Sequence, residues 1–476
     1  MIDSLKFWLF TVTFSIIFVF FSLWVIIMLV QLFLALYAYF SRASVPKNGL
    51  LWHRYFDTAP PISIIVPAYN EEKNIVQSVY SLISLDYPAF EVIIVNDGSK
   101  DNMLDELIKE FELEESNREY ETILAFNPIG NIYVSKKFGR LVVVDKENGG
   151  KADAQNAGIS VSRMSLLCMV DADTILEPDG LLRMVQPFID DPARTVAVGG
   201  SVMIANGSKI SSGRLTRVAI RFNFLVYFQI LEYLRAFLMA RVAWSYVNCL
   251  TLISGAFGVF SRREVMAVGG YTRGSVGEDF DLVIKLHRYM LENKRDYRIT
   301  FVPDAVCWTE APESLSVLAK QRTRWQRGAL EVYFRHQDIM FNRRYGRIGF
   351  VGMPMVFVID VVNPLLELFS YILFPIVFYF KAMTFEFLLS FIFMAFMYGI
   401  FVSLFSISLE QMHLGFLRKA KYIFILFLSS IIECFGYRQI NTFWRIKAAG
   451  EYFSGKTSWG EIKRTGFDEV KKKTAQ

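Results

Sequence analysis

Several short stretches of the sequence combine residue types that could do chemistry. The apolar run Ser165–Val170 leads straight into Asp171-Ala172-Asp173. Residues at i and i+2 of an extended chain point the same way, so both carboxylates can converge on one divalent cation, and such a cation can bridge a diphosphate. Further on, Glu278-Asp279-Phe280-Asp281 follows Gly269-Gly270-Tyr271 and opens a helical pattern through Leu282, Ile284 and Leu286. Acids are favoured at a helix N-terminus, but three within four residues exceed what capping needs. One of them could act as a general base if it faced a pocket.

Three more segments join them. In a helix, Gln321, Arg324 and Trp325 fall at i, i+3 and i+4 and share a face. They offer an amide, a guanidinium that can fork onto phosphate, and a flat ring that can stack on a sugar. An Arg/Trp helix lying at a membrane surface is the plainer reading of the same residues. Asp97 closes the run Glu91–Val95 in Val95-Asn96-Asp97-Gly98-Ser99, where ligands bind in open parallel sheets; the alternative is an N-cap for a helix beginning near Asn102. Gly149-Gly150-Lys151, with Asn156 five residues on, brings a backbone able to approach phosphate or ribose and a cation.

Positioning these groups requires strands and helices in alternation. The β-branched runs Ile62–Val66, Glu91–Val95 and Leu141–Val144 are separated by helix-length charged stretches between about Pro60 and Gly346, which predicts a parallel sheet covered by helices. The stretch Leu107–Lys137 is longer and more polar than a compact link and reads as a surface insertion. Segment Phe222–Tyr246 reads equally as a core helix or as one lying against a bilayer or channel mouth.

Composition demands a second solvent. The chain has 476 residues with 44 Phe and 17 Met, 53% hydrophobic residues and a net charge of +5, and a mean hydropathy of +0.32. That average is too high for a water-soluble domain, while 20% charged residues require a sizeable part in water. Phe7–Phe40 exceeds both the ~20 residues that cross a bilayer and the core of a signal peptide, so residues 1–41 read as an uncleaved anchor. Arg42, Lys47, His53 and Arg54 follow and place residues 60–346 in the cytoplasm. Apolar blocks return over 350–440, at about Phe350–Phe380, Thr384–Ile407 and Tyr422–Tyr437, before a basic tail, 441–476. Three full spans would leave that tail outside. A cytoplasmic tail is expected instead, with one block interfacial or re-entrant; Asp360, Pro364 and Glu367 point to the first block. The four cysteines and four histidines lack metal-ligand spacing, and the mild, mixed charge does not support a nucleic-acid partner.

Taken in chain order, the segments resemble the processive branch of the family 2 glycosyltransferases, which includes hyaluronan, chitin, cellulose and poly-N-acetylglucosamine synthases. The resemblance runs from Pro60 through Trp325 and into the flanking membrane segments. It implies a nucleotide-sugar-binding α/β domain of the glycosyltransferase A type, cytoplasmic and flanked by transmembrane helices in the cell membrane. It also implies roles: Asp97 contacts the uridine and Lys151 lies near the nucleotide. Asp171 and Asp173 form the Asp-X-Asp pair, with Asp173 reaching a Mg²⁺ or Mn²⁺ ion. Asp279 is the general base, and Gln321, Arg324 and Trp325 hold the leaving diphosphate and shape the acceptor site. Ser254–Gly258 resembles the small-residue segment near the acceptor channel.

Direct displacement on a UDP-linked α-sugar would give a β-linkage. The ending Phe443-Trp444-Arg445 through Phe467 resembles poly-N-acetylglucosamine-type synthases and favours UDP-N-acetylglucosamine as donor. Implied partners are a growing glycan or lipid acceptor, the bilayer, and accessory membrane or export proteins. No segment resembles the PilZ domain of bacterial cellulose synthases. Two other readings remain: transfer of one sugar to a lipid or short acceptor, and a transporter or scaffold with a nucleotide-sensing domain.

Overall fold

The computed structural model describes residues 2–41, 57–211, 214–381 and 384–455. Its strands are β1 (Ile62–Ala68), β2 (Phe90–Asp97), β3 (Leu113–Glu115), β4 (Ile129–Ser135), β5 (Leu141–Lys146), β6 (Leu166–Met169), β7 (Ile175–Leu176), β8 (Thr195–Ile204), β9 (Lys209–Ser211), β10 (Arg214–Arg217), β11 (Gly258–Ser261) and β12 (Arg298–Thr309). Ten of them form one sheet in the order β3-β4-β5-β2-β1-β6-β11-β8-β12-β7, and β9 and β10 pair apart from it.

The parallel sheet read from the β-branched runs is its centre, where β5, β2, β1 and β6 pair parallel. All of β2 and β6, and nearly all of β1, is buried, which is why these strands carry unbroken apolar runs rather than an alternating pattern. The sheet as a whole is mixed, since β11 runs antiparallel to both β6 and β8. Four residues with Gly at their head gave no such signal. Leu107–Lys137 differs from a surface insertion: β4 adds to the sheet edge antiparallel to β5, and β3 pairs antiparallel with β4 beyond it. The link between them is fastened inside, with Arg118 bonded to Glu91 at 2.7 Å and Leu124 buried.

The segment read as an anchor is one helix, Ile2–Ser41. Among the described residues three helices are long and apolar enough to cross a membrane, within Phe14–Ser41, Ile348–Tyr379 and Phe385–His413. A fourth candidate is a pair of helices, Ala420–Ile432 and Tyr437–Phe453, bent by 61° around Gly436 at φ 100°. The break therefore falls in the third C-terminal block and not in the first. Asp360 does not interrupt its helix, because Arg445 bonds its carboxylate at 3.1 Å and so relieves the cost of placing it there.

Segment Phe222–Tyr246 is chiefly a buried helix, with Tyr227, Leu231, Leu234, Leu238 and Val242 all enclosed. A π-helical stretch, Leu234–Arg241, lies in its middle. One end of the anchor is pinned to it by the Tyr39 hydroxyl, which donates to the Leu238 carbonyl at 3.1 Å.

Candidate active site

Lys151 begins the helix Lys151–Val161, and its ammonium stands among three carboxylates: Asp171 Oδ1 at 2.9 Å, Glu278 Oε1 at 3.1 Å and Asp279 Oδ2 at 3.6 Å. Two chain segments more than a hundred residues apart are thus drawn to one cation. Burial alone would lower the Lys151 pKa, but Asp171, Asp279 and Glu278 together carry it well above the ordinary lysine range. Lys151 is a fixed positive charge at the head of the site.

Asp279 is the perturbed group. Burial pushes its carboxyl up, Lys151 opposes this, Glu278 and Asp171 add to it, and the outcome is a pKa of about 7. The Gly255 amide donates to Oδ2 at 3.0 Å. Oδ1 is buried without a hydrogen-bond partner among the described residues. Such an atom is what a general base needs: an oxygen kept dry and unengaged until a hydroxyl is brought to it.

Asp281, two residues on, is fully employed in structure. It accepts from Thr272 Oγ1 at 2.5 Å, Arg335 Nη1 at 3.0 Å and His336 Nε2 at 2.9 Å. Burial would raise its pKa, yet these bonds hold it well below the usual carboxylate range. Of the three acids, Asp281 ties its helix, Glu278–Glu292, to the helix Leu315–Arg335, Glu278 braces Lys151, and Asp279 is left to act.

Close approach reinforces that tie. A Cβ on Gly328 would stand 2.9 Å from Gly277 Cα, so both positions must be glycine for the two helices to meet here. A Cβ on Gly255 would lie 2.3 Å from Asp279 Oδ2, a side-chain atom that would have to move aside. Gly255→Ala is expected to displace the Asp279 carboxylate and lower kcat by about 10- to 100-fold. Steady-state kinetics with an unchanged melting temperature would check this.

The helix Leu315–Arg335 carries Gln321, Arg324 and Trp325, and all three line the cleft. Arg324 makes no ion pair among the described residues and is half-buried there. Trp325 is held in place by Arg322, whose guanidinium lies 4.5 Å from the ring centroid while bonding Glu232. Gln326 on the same helix accepts from Arg445 Nε at 2.7 Å, and Arg445 Nη2 reaches the Ile359 carbonyl at 2.6 Å.

One cleft of about 1660 Å³ joins these groups. Lys151, Asp171, Asp173, Asp279, Gln321, Arg324 and Trp325 all line it. It continues past Arg235 to Gln31 of the anchor and to Tyr398 and Arg438 among the later helices. Asp97 is not on its wall. Its carboxylate accepts from Lys146 Nζ at 2.7 Å and from the Gly149 and Gly150 amides at 2.9 and 2.8 Å. Asp97 thereby fixes the turn that presents Lys151. It does not cap the helix Met103–Phe111, whose N-cap is Asn102.

The contributions of Glu232, Arg235 and Arg322 are not legible from spacing, since each owes its role to a partner roughly 90 or more residues away. Among the described residues no group of three or more His, Cys, Asp or Glu could hold a metal ion by itself. Asp171 and Asp173 fit a Mg²⁺ or Mn²⁺ ion that shares its ligands with a substrate diphosphate, the usual habit of Mg²⁺ sites with one or two protein carboxylates.

The pattern of the Glycosyl transferase family 2 matches residues 63–239, and that of the Glycosyl transferase family group 2 matches residues 166–431, more than half of the chain. The chain belongs to the family 2 glycosyltransferases. The glycosyltransferase is 30% identical over 301 residues to a poly-beta-1,6-N-acetyl-D-glucosamine synthase of Staphylococcus epidermidis, covering 63% of this chain and 62% of that one. It is 31% identical over 280 residues to the synthase of the same name from Staphylococcus aureus strain COL, covering 59% and 57%. The match thus spans about three fifths of the length of these relatives. Among solved structures, the mannosyltransferase PcManGT of Pyrobaculum calidifontis, in complex with GDP-Man and Mn²⁺, superposes with a TM-score of 0.57 at 16% identity over 94% of this chain and 99% of that one. The glycosyltransferase therefore shares that fold.

Proposed function

We propose that the protein is a membrane-embedded, inverting glycosyltransferase that moves N-acetylglucosamine from its UDP derivative to the end of a growing β-linked polysaccharide. One observation carries this reading: Asp279, its pKa pushed up to about 7 and one oxygen left unengaged, shares a single cleft with Asp171, Asp173 and Arg324. A base, an acidic pair for a diphosphate-bound cation and an uncommitted guanidinium are the three components that sugar transfer from a nucleotide needs. The choice of sugar follows the names of the relatives and the resemblance of the C-terminal segment to synthases of that type.

In the proposed reaction Asp279 takes the proton of the acceptor hydroxyl as its oxygen attacks the anomeric carbon from the face opposite the UDP. The bond from sugar to diphosphate breaks, and the charge left on the diphosphate is met by Arg324. A divalent ion held by Asp173 and Asp171 together with the diphosphate would supply further neutralisation of that charge. Trp325 offers its face to the acceptor sugar, and Gln321 offers hydrogen bonds. Asp97 serves the nucleotide by holding the Gly149-Gly150-Lys151 turn against it.

Residues 60–346 are assigned to the cytoplasm on the basic flanks, and the bent pair Ala420–Ile432 and Tyr437–Phe453 is assigned as re-entrant. With three spans before it, that assignment returns the basic tail to the cytoplasmic side. The continuity of the cleft with the membrane helices supports passage of the polymer along them.

The test is UDP release by detergent-purified protein against a panel of UDP-sugars with Mg²⁺ or Mn²⁺, with sizing of the product. Release is expected with UDP-N-acetylglucosamine alone, with long product, and is expected to be lost on chelation with EDTA. Single-sugar products would favour a lipid or short acceptor, and no release with any donor would overturn the reading.

A further inference from the structure

A second cavity, about 790 Å³, lies away from the reaction cleft, where the anchor passes the first C-terminal membrane helix. Ile26, Val30 and Leu34 recur at helical spacing along one wall, and Val351 and Met355 form the other. Ile26 and Val30 are about half exposed, at 56% and 46%, so the trough is open along its length to the surrounding hydrocarbon.

One rim is cationic. Arg347 immediately precedes the span beginning at Ile348, and Val351 and Met355 follow it one and two turns deeper. Arg298 starts β12 at the same rim. Arg347 makes no ion pair among the described residues, and the single ion pair of Arg298 is a 4.0 Å contact between exposed Nε and Asp191, which contributes little. Arg343 and Arg344 are exposed beside them. Two uncommitted guanidinium groups above an apolar trough at the edge of a span complement a phosphate joined to acyl chains.

We propose that this groove is a binding site for one anionic phospholipid, its phosphate on Arg298 and Arg347 and an acyl chain along Ile26–Leu34. Trp244 lines both this groove and the reaction cleft, so a lipid in place backs a residue of the cleft wall. The proposal does not rest on the sugar-transfer reading, because binding is measured without turnover.

The experiment is native mass spectrometry of the full chain in detergent, titrated with phosphatidylglycerol and, separately, with phosphatidylcholine. The unmodified protein is expected to retain one phosphatidylglycerol with a roughly ten-fold preference. Arg298→Gln with Arg347→Gln should reduce that preference to parity, the Arg298→Lys, Arg347→Lys pair should keep most of it, and Val30→Trp should remove the bound lipid. Equal retention of both lipids by the unmodified protein, or a preference that survives the double Gln variant, would overturn the assignment. So would undiminished binding in Val30→Trp.

Discussion

Asp279→Asn is expected to lower kcat for turnover of the proposed donor, UDP-N-acetylglucosamine, by about 10³-fold, within the 10²–10⁴-fold range for general-base catalysis, with UDP affinity nearly unchanged. The substitution keeps shape and the bond from the Gly255 amide, and Lys151 retains Asp171 and Glu278 as partners. What it removes is the one oxygen able to accept the acceptor proton. The same residue sets the pH dependence. With a pKa of about 7, Asp279 is ionised and competent above pH 7 and protonated below it. The rate should therefore fall about ten-fold per pH unit on the acid side and level off above neutrality. A pH–rate profile checks this, and an acid limb near pH 4, the ordinary aspartate value, would show that burial does not raise the Asp279 carboxyl.

Arg324→Ala is expected to reduce kcat by about 10²- to 10³-fold, the usual effect of deleting one preorganised group aimed at developing charge. Arg324 is the natural candidate because it shares a helix with Gln321 and Trp325 at the cleft and makes no ion pair among the described residues, whereas Arg322, Arg235 and Arg445 are committed to Glu232, Glu433 and Asp360. A guanidinium without a carboxylate partner keeps its full charge for the leaving diphosphate. The loss should fall on kcat more than on KM, and Arg324→Lys should recover part of it, since an ammonium restores charge without the bidentate fork. Equal kcat for Arg324→Ala and the unmodified protein would assign the guanidinium to structure.

The central strands and the site motifs were legible because each is written in a few adjacent residues. Ile62–Val66 and Glu91–Val95 read as buried strands from their β-branched runs, and Asp171-Ala172-Asp173 as a strand end from its place after the apolar run that forms β6. Roles within a motif were not legible. Nothing in Glu278-Asp279-Phe280-Asp281 tells which acid is free, because Asp281 is claimed by Arg335 and His336 and Glu278 by Lys151, partners set only by tertiary packing. Asp97 shows the same limit. Its position at the end of β2 was right for a pocket edge, yet its acceptor oxygens are taken by Lys146 and two glycine amides. Short antiparallel strands such as β11 and β7 escaped notice because two to four residues carry too little pattern.

Arg445 meets Gln326 across 119 residues of chain, and the helix that bears Gln326 also bears Arg324 and Trp325. During synthesis the amino-terminal parts of the reaction cleft can assemble early, but this helix lacks its last brace until the bent pair has emerged and docked. The reaction cleft would thus stay unbraced on the ribosome until the bent pair has been made, and a product ending before Tyr437 is expected to lack activity.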